Sequence, residues 1–139
     1  MFSGKAYHNI DAKGRLFIPA AFREELGNQF VVSRGYNGNY LNVYPMREWE
    51  SLIGKIDALG LDKDVRNLKR FVMVNANQTE MDSQGRIVIS KEHRELACLE
   101  KEIVIIGMNS YLEIWDSKLL EAETAEEPAN LEDFLAMIK

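Results

Sequence analysis

The chain lacks several features that mark secreted and membrane proteins. It contains a single cysteine, Cys98, which excludes an internal disulfide and is typical of a reducing cytoplasm. Its longest apolar runs, such as residues 103–108, are far shorter than the roughly 20 residues that span a bilayer, so no membrane span is predicted. The N-terminus also lacks the basic start and apolar stretch of a secretory signal. These absences predict a cytoplasmic protein.

The usual catalytic patterns are also missing. We find no Ser/His/Asp arrangement, no metal-ligand spacing and no glycine-rich phosphate loop. The two histidines, His8 and His93, do not occupy equivalent positions in the chain. The sequence therefore predicts neither an enzyme nor a cofactor, metal or small-molecule substrate. An acid–base role for the aspartates remains an alternative hypothesis of little weight.

The net charge of −5 hides an uneven distribution of charge along the chain. Residues 1–75 contain 11 Lys and Arg against 8 Asp and Glu, whereas residues 76–139 contain 6 against 14. The last 24 residues alone hold 2 against 7. An acidic tail is therefore attached to a mildly basic first half, and the charge of each surface must be judged locally.

One motif occurs twice. The stretch "IDAKGRLFIP" at residues 10–19 returns 71 residues later as "MDSQGRIVIS" at residues 81–90, and "YLNVY" at 40–44 returns as "YLEIW" at 111–115. Identical residues at this offset are Asp11 and Asp82, Gly14 and Gly85, Arg15 and Arg86, Ile18 and Ile89, and Arg23 and Arg94. Because solenoids usually need three or more repeats, two copies predict a pseudo-twofold domain in which each half completes the other.

Each copy predicts a strand, a tight turn, a strand, a short helix and two more strands. The short β-branched runs predict the strands, and "PAAFREEL" and "SKEHRELA" predict the helices, the second capped by Ser90. Between the copies, an apolar stripe predicts a helix that Gly60 ends, and Asp62 caps another helix through about Phe71. That stripe consists of Met46, Trp49, Leu52, Ile53, Ile56 and Leu59.

The C-terminal tail predicts a third helix of this kind. Its apolar face consists of Leu131, Phe134, Leu135 and Ile138. We expect the apolar stripes to pack against the sheet or against a neighbouring subunit. The chain is thus divided into a first repeat (1–50), a helical connector (51–75), a second repeat (76–121) and an acidic tail with a short helix (122–139), all within one compact domain.

The Asp-x-x-Gly-Arg spacing predicts a tight turn in each copy. The Asp carboxylate can accept backbone N–H groups one or two residues further on, and Gly14 and Gly85 supply positive φ. The following Arg starts a strand and can either pair with the Asp or point outward as a forked donor. The spacing leaves both roles open, and the repetition of Arg in both copies favours a duplicated binding element.

These motifs resemble those of the MraZ family. The similarity is carried by "MFSGKAYHNIDAKGRLFIPAAFR" at the start and by "DSQGRIVIS", "EIVIIG" and "YLEIW" later, and it covers nearly all of residues 1–120. MraZ proteins resemble the AbrB family of DNA-binding proteins. The resemblance implies an α+β, mainly β fold, in which two AbrB-like swapped-hairpin elements form an intramolecular pseudo-dimeric β-barrel with flanking helices.

The resemblance also implies a function. It implies a transcriptional regulator, associated with the nucleoid, that binds double-stranded DNA at repeated promoter sites of a bacterial division and cell-wall gene cluster, including its own gene, as a ring-shaped homo-oligomer. Its motif falls on Asp11 and Arg15 and on Asp82 and Arg86. We expect Lys13, Lys5 and Arg23 to contact phosphate, with His8 as a minor candidate.

Two features of the DNA-binding hypothesis stay open at this point. Gln84 replaces Lys13 in the second copy, so we expect the first element to bind more strongly. Arg15 and Arg86 could read bases or grip phosphate. The alternative from a different class is a ring-forming structural or protein-interaction module with no direct role at DNA.

Overall fold

The computed structural model describes residues 1–124 and 128–139, which form eight strands and six helices. The first half of the chain contains β1 (Lys5–Asn9), β2 (Arg15–Phe17), α1 (Ala20–Leu26), β3 (Gln29–Arg34), β4 (Leu41–Pro45), α2 (Met46–Asp57) and α3 (Lys63–Val74). The second half contains β5 (Asn77–Glu80), β6 (Arg86–Val88), α4 (Lys91–Leu96), β7 (Glu102–Gly107), β8 (Leu112–Asp116), α5 (Ser117–Thr124) and α6 (Leu131–Ile138). The predicted order of strands and helices in each copy is confirmed.

The strands of the two halves are interleaved. One six-stranded antiparallel sheet has the order β1-β7-β8-β4-β3-β5, and β2 pairs with β6 in a separate two-stranded ribbon. When each strand is exchanged for its equivalent in the other half, the sheet order becomes β5-β3-β4-β8-β7-β1, which is the same order read from the opposite edge. Each half therefore lends a strand to the other, as expected for a pseudo-twofold domain.

The ribbon and the sheet enclose the main hydrophobic core. Leu16 of β2 and Ile87 of β6 are almost fully buried against sheet residues such as Phe30 and Ile105. Burying such side chains removes apolar surface from water at about 25 cal/mol per Å² and supplies the dominant favourable term in folding. The two layers are thus held together by side chains from both halves.

The helices α2 and α3 cover the opposite face of the sheet. Val31 alternates with the core residues of β3 and packs with Tyr44, Trp49, Ile56 and Val72 in a second cluster. This confirms that the stripe of α2 packs on the sheet. One member of the predicted stripe is wrong, because Leu59 lies beyond the end of α2 and its side chain is 63% exposed.

Both predicted N-caps are confirmed. The Asp62 carboxylate accepts the Val65 N–H at 3.0 Å, and the Ser90 hydroxyl accepts the His93 N–H at 3.1 Å. Each cap satisfies one of the otherwise unpaired N–H groups of a first helical turn. The α3 helix extends to Val74, slightly beyond the predicted end near Phe71.

The C-terminal helices differ from one another in packing. The helix α5, which was not predicted, packs on β7 and β8. The predicted helix α6 is present, but no residue in it is buried and its apolar face lies exposed. Two predicted segment boundaries, after residues 50 and 121, fall inside α2 and α5, so a helix continues directly from the fourth strand of each half. Residues 125–127 of the predicted tail lie outside the described residues.

The fold is therefore α+β, as predicted, with an antiparallel sheet, but the prediction that it is mainly β is wrong, because 53 of the described residues lie in helices and 37 in strands. The strand pairing gives a six-stranded sheet with a ribbon packed on it, and closure of these layers into a barrel stays a prediction. Within residues 1–124 and 128–139, no helix combines the length and apolar character needed to cross a bilayer.

Candidate nucleic-acid interface

The first repeated motif forms loop 1 (residues 11–14), which leads into β2. The Gly14 N–H donates to the Asp11 carbonyl at 3.0 Å and closes a tight turn, with Gly14 at φ +82°. Asp11 Oδ1 accepts the backbone N–H groups of Lys13 at 3.0 Å and of Arg15 at 2.8 Å. The Asp side chain therefore fixes the turn from inside, which is the structural duty predicted from its spacing.

Loop 2 (residues 82–85) repeats this arrangement bond for bond. The Gly85 N–H donates to the Asp82 carbonyl at 3.1 Å, and Asp82 Oδ1 accepts the N–H groups of Gln84 and Arg86, each at 2.9 Å. Gly85 has φ +78°. The two copies thus share their backbone geometry, although their second and third residues differ.

The two roles considered for each Arg occur together. Arg15 Nε donates to Asp11 Oδ2 at 2.6 Å, and Arg86 Nε donates to Asp82 Oδ2 at 2.8 Å. Across residues 1–124 and 128–139, the Nη1 and Nη2 atoms of both arginines have no hydrogen-bond partner in the protein. Each Asp therefore orients a guanidinium whose two outer nitrogens remain available to an acceptor.

The loop carboxylates are stabilised in their ionised form. The backbone N–H of Arg15, its guanidinium and the N–H of Lys13 together hold the pKa of Asp11 below its ordinary value, against a smaller opposing effect of desolvation. The corresponding donors, led by the backbone N–H of Arg86, lower the pKa of Asp82 in the same way. Both turns are consequently in their charged, bonded state at neutral pH.

The ribbon places the two arginines on one surface. Arg15 pairs with Val88 and Phe17 with Arg86, while Leu16 and Ile87 point into the core. Because side chains alternate along a strand, Arg15, Phe17, Arg86 and Val88 share the outer face of the ribbon. In this register Arg15 and Arg86 are diagonal neighbours, and the Cα atoms of such a pair lie about 7–8 Å apart. The outer face of the ribbon therefore carries both guanidiniums and two exposed apolar side chains.

The two halves of this surface are not equal. The Arg86 guanidinium lies 5.8 Å from the centroid of the Phe17 ring, within the range of a cation–π contact, whereas Arg15 faces Val88 across the ribbon. The Arg15 side chain is 38% exposed and that of Arg86 is 25% exposed. Sequence reasoning missed Phe17 and Val88, although their equivalent positions after the two arginines could have identified them.

Each loop glycine contacts an arginine from the other half of the chain. A Cβ placed on Gly14 would lie 3.2 Å from Nε and Cζ of Arg94, and one placed on Gly85 would lie 2.5 Å from Nε of Arg23. Arg23 Nε donates to the Ile18 carbonyl at 2.7 Å, and Arg94 Nη1 donates to the Ala12 carbonyl at 3.4 Å. Arg23 was a predicted site residue and lies beside loop 2, whereas Arg94 was missed.

The remaining predicted contacts are scattered around this surface. Lys13 is exposed at the tip of loop 1, and His8 lies beside the ribbon with its ring 6.4 Å from the Phe17 ring. Lys5 is six residues before Asp11, at the far end of β1, and lines a groove with Glu121 of α5. The structure therefore brings Lys13 and His8 to the ribbon but not Lys5, whose contact with DNA stays a prediction.

Comparisons with known proteins agree with the duplicated architecture. The family profile described as "MraZ protein, putative antitoxin-like" matches the chain twice, at residues 1–71 and 72–134. The transcriptional regulator MraZ of Acetivibrio thermocellus is 42% identical over 133 residues, which are 95% of this chain and 92% of that protein. The transcriptional regulator MraZ of Pelotomaculum thermopropionicum is 52% identical over 116 residues, 83% of this chain and 79% of that protein. Since each matched segment contains one of the two loops and these relatives align along most of their length, the chain belongs to the MraZ family.

Proposed function

We propose that the protein is a transcriptional regulator that binds double-stranded DNA through the outer face of the ribbon. The observation that carries this proposal is the pair of guanidiniums, Arg15 and Arg86, each oriented by an Asp and each with two outer nitrogens available. A two-stranded β-ribbon fits the major groove of B-DNA, which is about 12 Å wide. A guanidinium at that position can donate two hydrogen bonds to guanine or grip a phosphate.

The charge of the ribbon surface supports this assignment, although the chain as a whole has a net negative charge. Lys13 extends from loop 1 next to Arg15, and Arg23 and Arg94 lie behind the loops. The acidic excess lies mainly in the C-terminal tail. Phosphate neutralisation depends only on the cations that meet DNA, so a locally basic ribbon is sufficient for contact. Because Gln84 replaces Lys13 and Arg86 is less exposed than Arg15, loop 1 is the stronger of the two elements.

We infer that the regulator acts on repeated sites in the promoter of a division and cell-wall gene cluster that includes its own gene, and therefore works at the nucleoid in the cytoplasm. Its relatives are named transcriptional regulators, and the motif on which the family resemblance rests is intact in both copies. One chain offers few phosphate contacts, so affinity for such a promoter must come from several chains bound at once.

The exposed helix α6 supports assembly of several chains. Phe134 and Ile138 on its apolar face are 56% and 80% exposed, and Glu132 and Asp133 lie in its first turn. A groove of about 330 Å³ runs along α3 and the loop before it. It is lined by Leu61, Val65 and Met73, by the cations Arg66, Lys69 and Arg70, and by Asp57 at the end of α2, which accepts a hydrogen bond from Lys69 Nζ at 2.8 Å and leaves the groove with a net positive charge. The acidic, apolar helix and the basic, apolar groove are complementary. A second copy of the chain docking α6 in this groove gives a head-to-tail contact, which closes into a ring when the rotation allows.

The same surfaces favour the second candidate, a ring-forming interaction module without a direct role at DNA. Only the exposed helix α6 and the groove support that candidate, and neither requires the two Asp–Arg pairs on the ribbon. A module of this kind would bind no DNA and would still assemble. Measuring DNA binding therefore distinguishes the two candidates.

The experiment compares Arg15→Ala and Arg86→Ala with Arg47→Ala as a matched control. Arg47 lies on α2, on the opposite face of the sheet, and its side chain is 79% exposed. Binding is measured by fluorescence anisotropy on the upstream DNA of the gene and on a random duplex, over a range of salt concentrations. Each ribbon variant is expected to lose about 10-fold or more in affinity, the cost of one good guanidinium contact, while Arg47→Ala is unchanged.

The outcomes separate the possible roles of the arginines. A uniform loss on both duplexes with a shallower salt dependence indicates a phosphate contact, and a loss confined to the upstream DNA indicates base reading. If the unaltered protein retards no DNA at low salt but scatters light as a ring, the DNA-binding proposal is wrong and the interaction module is supported.

A further inference from the structure

The two loops are supported from the other half of the chain. Arg23 lies on α1 of the first half and its guanidinium packs on Gly85 of loop 2, while Arg94 lies on α4 of the second half and packs on Gly14 of loop 1. The two arginines are equivalent in the repeat, since they are 71 residues apart. The contacts therefore cross between the halves in both directions.

Backbone hydrogen bonds follow the same crossed pattern. The Ile18 N–H donates to the Gly85 carbonyl at 2.9 Å, and the Ile89 N–H donates to the Gly14 carbonyl at 2.7 Å. Arg23 Nε also donates to the carbonyl of Ile18, the residue after β2, so this guanidinium joins the end of β2 to loop 2. A side chain at Gly14 would collide with the Ile89 carbonyl oxygen, and one at Gly85 would collide with the Arg23 guanidinium unless that group moved.

Arg94 makes a contact that local stability alone does not explain. Its Nε is buried and has no hydrogen-bond partner within residues 1–124 and 128–139, and its Nη1 donates to the Ala12 carbonyl only at 3.4 Å. An unpaired buried N–H is costly, and such a group calls for an explanation. The Arg94 guanidinium packs on Gly14 of loop 1 as that of Arg23 packs on Gly85 of loop 2, so both arginines contact a loop glycine of the other half.

We propose that Arg23 and Arg94 are positioning residues, each of which holds the DNA-presenting loop of the other half in its binding geometry. Removing one guanidinium releases the loop across the pseudo-twofold and leaves its own loop in place. The consequence for DNA rests on the proposed function, whereas the effect on the loops does not. The predicted phosphate contact of Arg23 is a different role, because a phosphate contact needs only its charge.

The test measures amide hydrogen exchange of the full-length protein by mass spectrometry, without DNA, in Arg23→Ala, Arg94→Ala and the control Arg47→Ala. We expect Arg94→Ala to speed exchange in peptides covering loop 1, and Arg23→Ala to do so for loop 2. The size expected is about 3- to 10-fold, the loss of roughly one net hydrogen bond. For Arg94→Ala that bond is the one to the Ala12 carbonyl of loop 1. For Arg23→Ala it is the bond to the Ile18 carbonyl, and the effect reaches loop 2 through the lost packing on Gly85 and through the Ile18 N–H, which donates to the Gly85 carbonyl. The other loop and all peptides of Arg47→Ala should keep the exchange rate of the unaltered protein.

Lysine variants keep the charge and protect the test against simple misfolding. Lysine cannot reproduce the flat guanidinium, so Arg23→Lys and Arg94→Lys should show the same crossed pattern as the Ala variants. In DNA binding, both types of variant should lose affinity without changing the salt slope. A lost phosphate contact instead lowers that slope by about 1, and lysine would restore it.

The results distinguish the two proposals. If exchange rises in the loop of the same half, in both loops equally or in neither, the positioning role is wrong whatever the DNA result. Full rescue by lysine would overturn it in favour of a charge contact. A crossed exchange pattern in a protein that binds no DNA supports the positioning role and refutes the proposed function alone.

Discussion

The loop glycines offer a quantitative test of how tightly each loop is enclosed. Gly14, Gly85 and Gly4 have nearly the same φ, at +82°, +78° and +76°. A Cβ on Gly4 would meet nothing within 4 Å, whereas one on Gly14 would lie 2.5 Å from the Ile89 carbonyl oxygen and one on Gly85 would lie 2.5 Å from Arg23 Nε. Replacing each by Ala therefore separates the cost of the backbone conformation from that of the contact.

The expected costs follow from these geometries. A positive φ of this kind costs an Ala about 1–2 kcal/mol relative to Gly, and Gly4→Ala should lose this amount of unfolding free energy and no more. Gly14→Ala must also push the Ile89 backbone away and weaken the 2.7 Å bond from its N–H, which adds about 1 kcal/mol. Gly85→Ala must displace the Arg23 guanidinium and break its bond to Ile18, at a similar additional cost of about 1 kcal/mol.

The two loops should then respond differently to removal of their arginine. Arg23→Ala takes away the obstacle at Gly85, so the double variant should be more stable than the sum of the single changes predicts, by about 1 kcal/mol. At Gly14 the nearest obstacle is backbone, and Arg94→Ala should bring little relief. The free energies are measured by urea unfolding at one fixed protein concentration, since self-association would shift them.

Three equal losses would refute this reasoning. If Gly14→Ala and Gly85→Ala cost no more than Gly4→Ala, the loops have room that the structure does not show. Equal relief in the two double variants would mean that the obstacle at Gly14 is also a movable side chain. Either result would remove the enclosure of the loops as the reason for glycine at these positions.

Two further predictions concern the loop carboxylates and assembly. Because the pKa values of Asp11 and Asp82 are lowered on folding from 3.8, their stabilising effect is fully present above that value and is lost as the pH falls through the folded pKa. As the pH falls below about 4, the ordinary pKa range of Asp, the unfolding free energy should therefore decrease more steeply in the unaltered protein than in the double variant Asp11→Asn/Asp82→Asn. Parallel curves would contradict the bonding seen in the loops. Phe134→Asp and Arg66→Glu, at the two sides of the proposed head-to-tail contact, should each lower the mass found by light scattering, with Arg47→Glu as the control; an unchanged mass in both would exclude this contact.

Local patterns allowed much of the fold to be predicted from the sequence. The turns of Asp11 and Asp82, the caps of Asp62 and Ser90 and the stripe of α2 depend on residues close together in the chain, so spacing alone identifies them. The helix α5 was missed although Asp116, a residue type typical of an N-cap, precedes it in the sequence; in the structure this carboxylate is buried and accepts the Glu100 N–H. The 71-residue offset would have found it, since that offset carries the start of α2 onto Ser117.

The parts of the site that depend on pairing between strands far apart in the sequence were harder to predict. A three-residue strand is too short for alternation to show which side chains face outward, so Phe17 and Val88 were not recognised as part of the surface. The position of Arg94 behind loop 1 follows from the pairing of β2 with β6, which no local pattern specifies. The offset aligned Arg94 with Arg23, but alignment within the repeat does not reveal that each contacts the other half.

Fusion of two unequal copies in one chain has a consequence for the kind of DNA site. A dimer of identical chains presents two identical surfaces about a twofold axis, and its operators are correspondingly palindromic. Here Lys13 is matched by Gln84, and Phe17 by Val88, so the two ends of the ribbon differ while their scaffold is the same. Such a surface has a direction, and a head-to-tail contact through α6 would repeat that direction from one chain to the next. We therefore expect each chain to bind a non-palindromic element, and an assembly to require several elements in the same orientation.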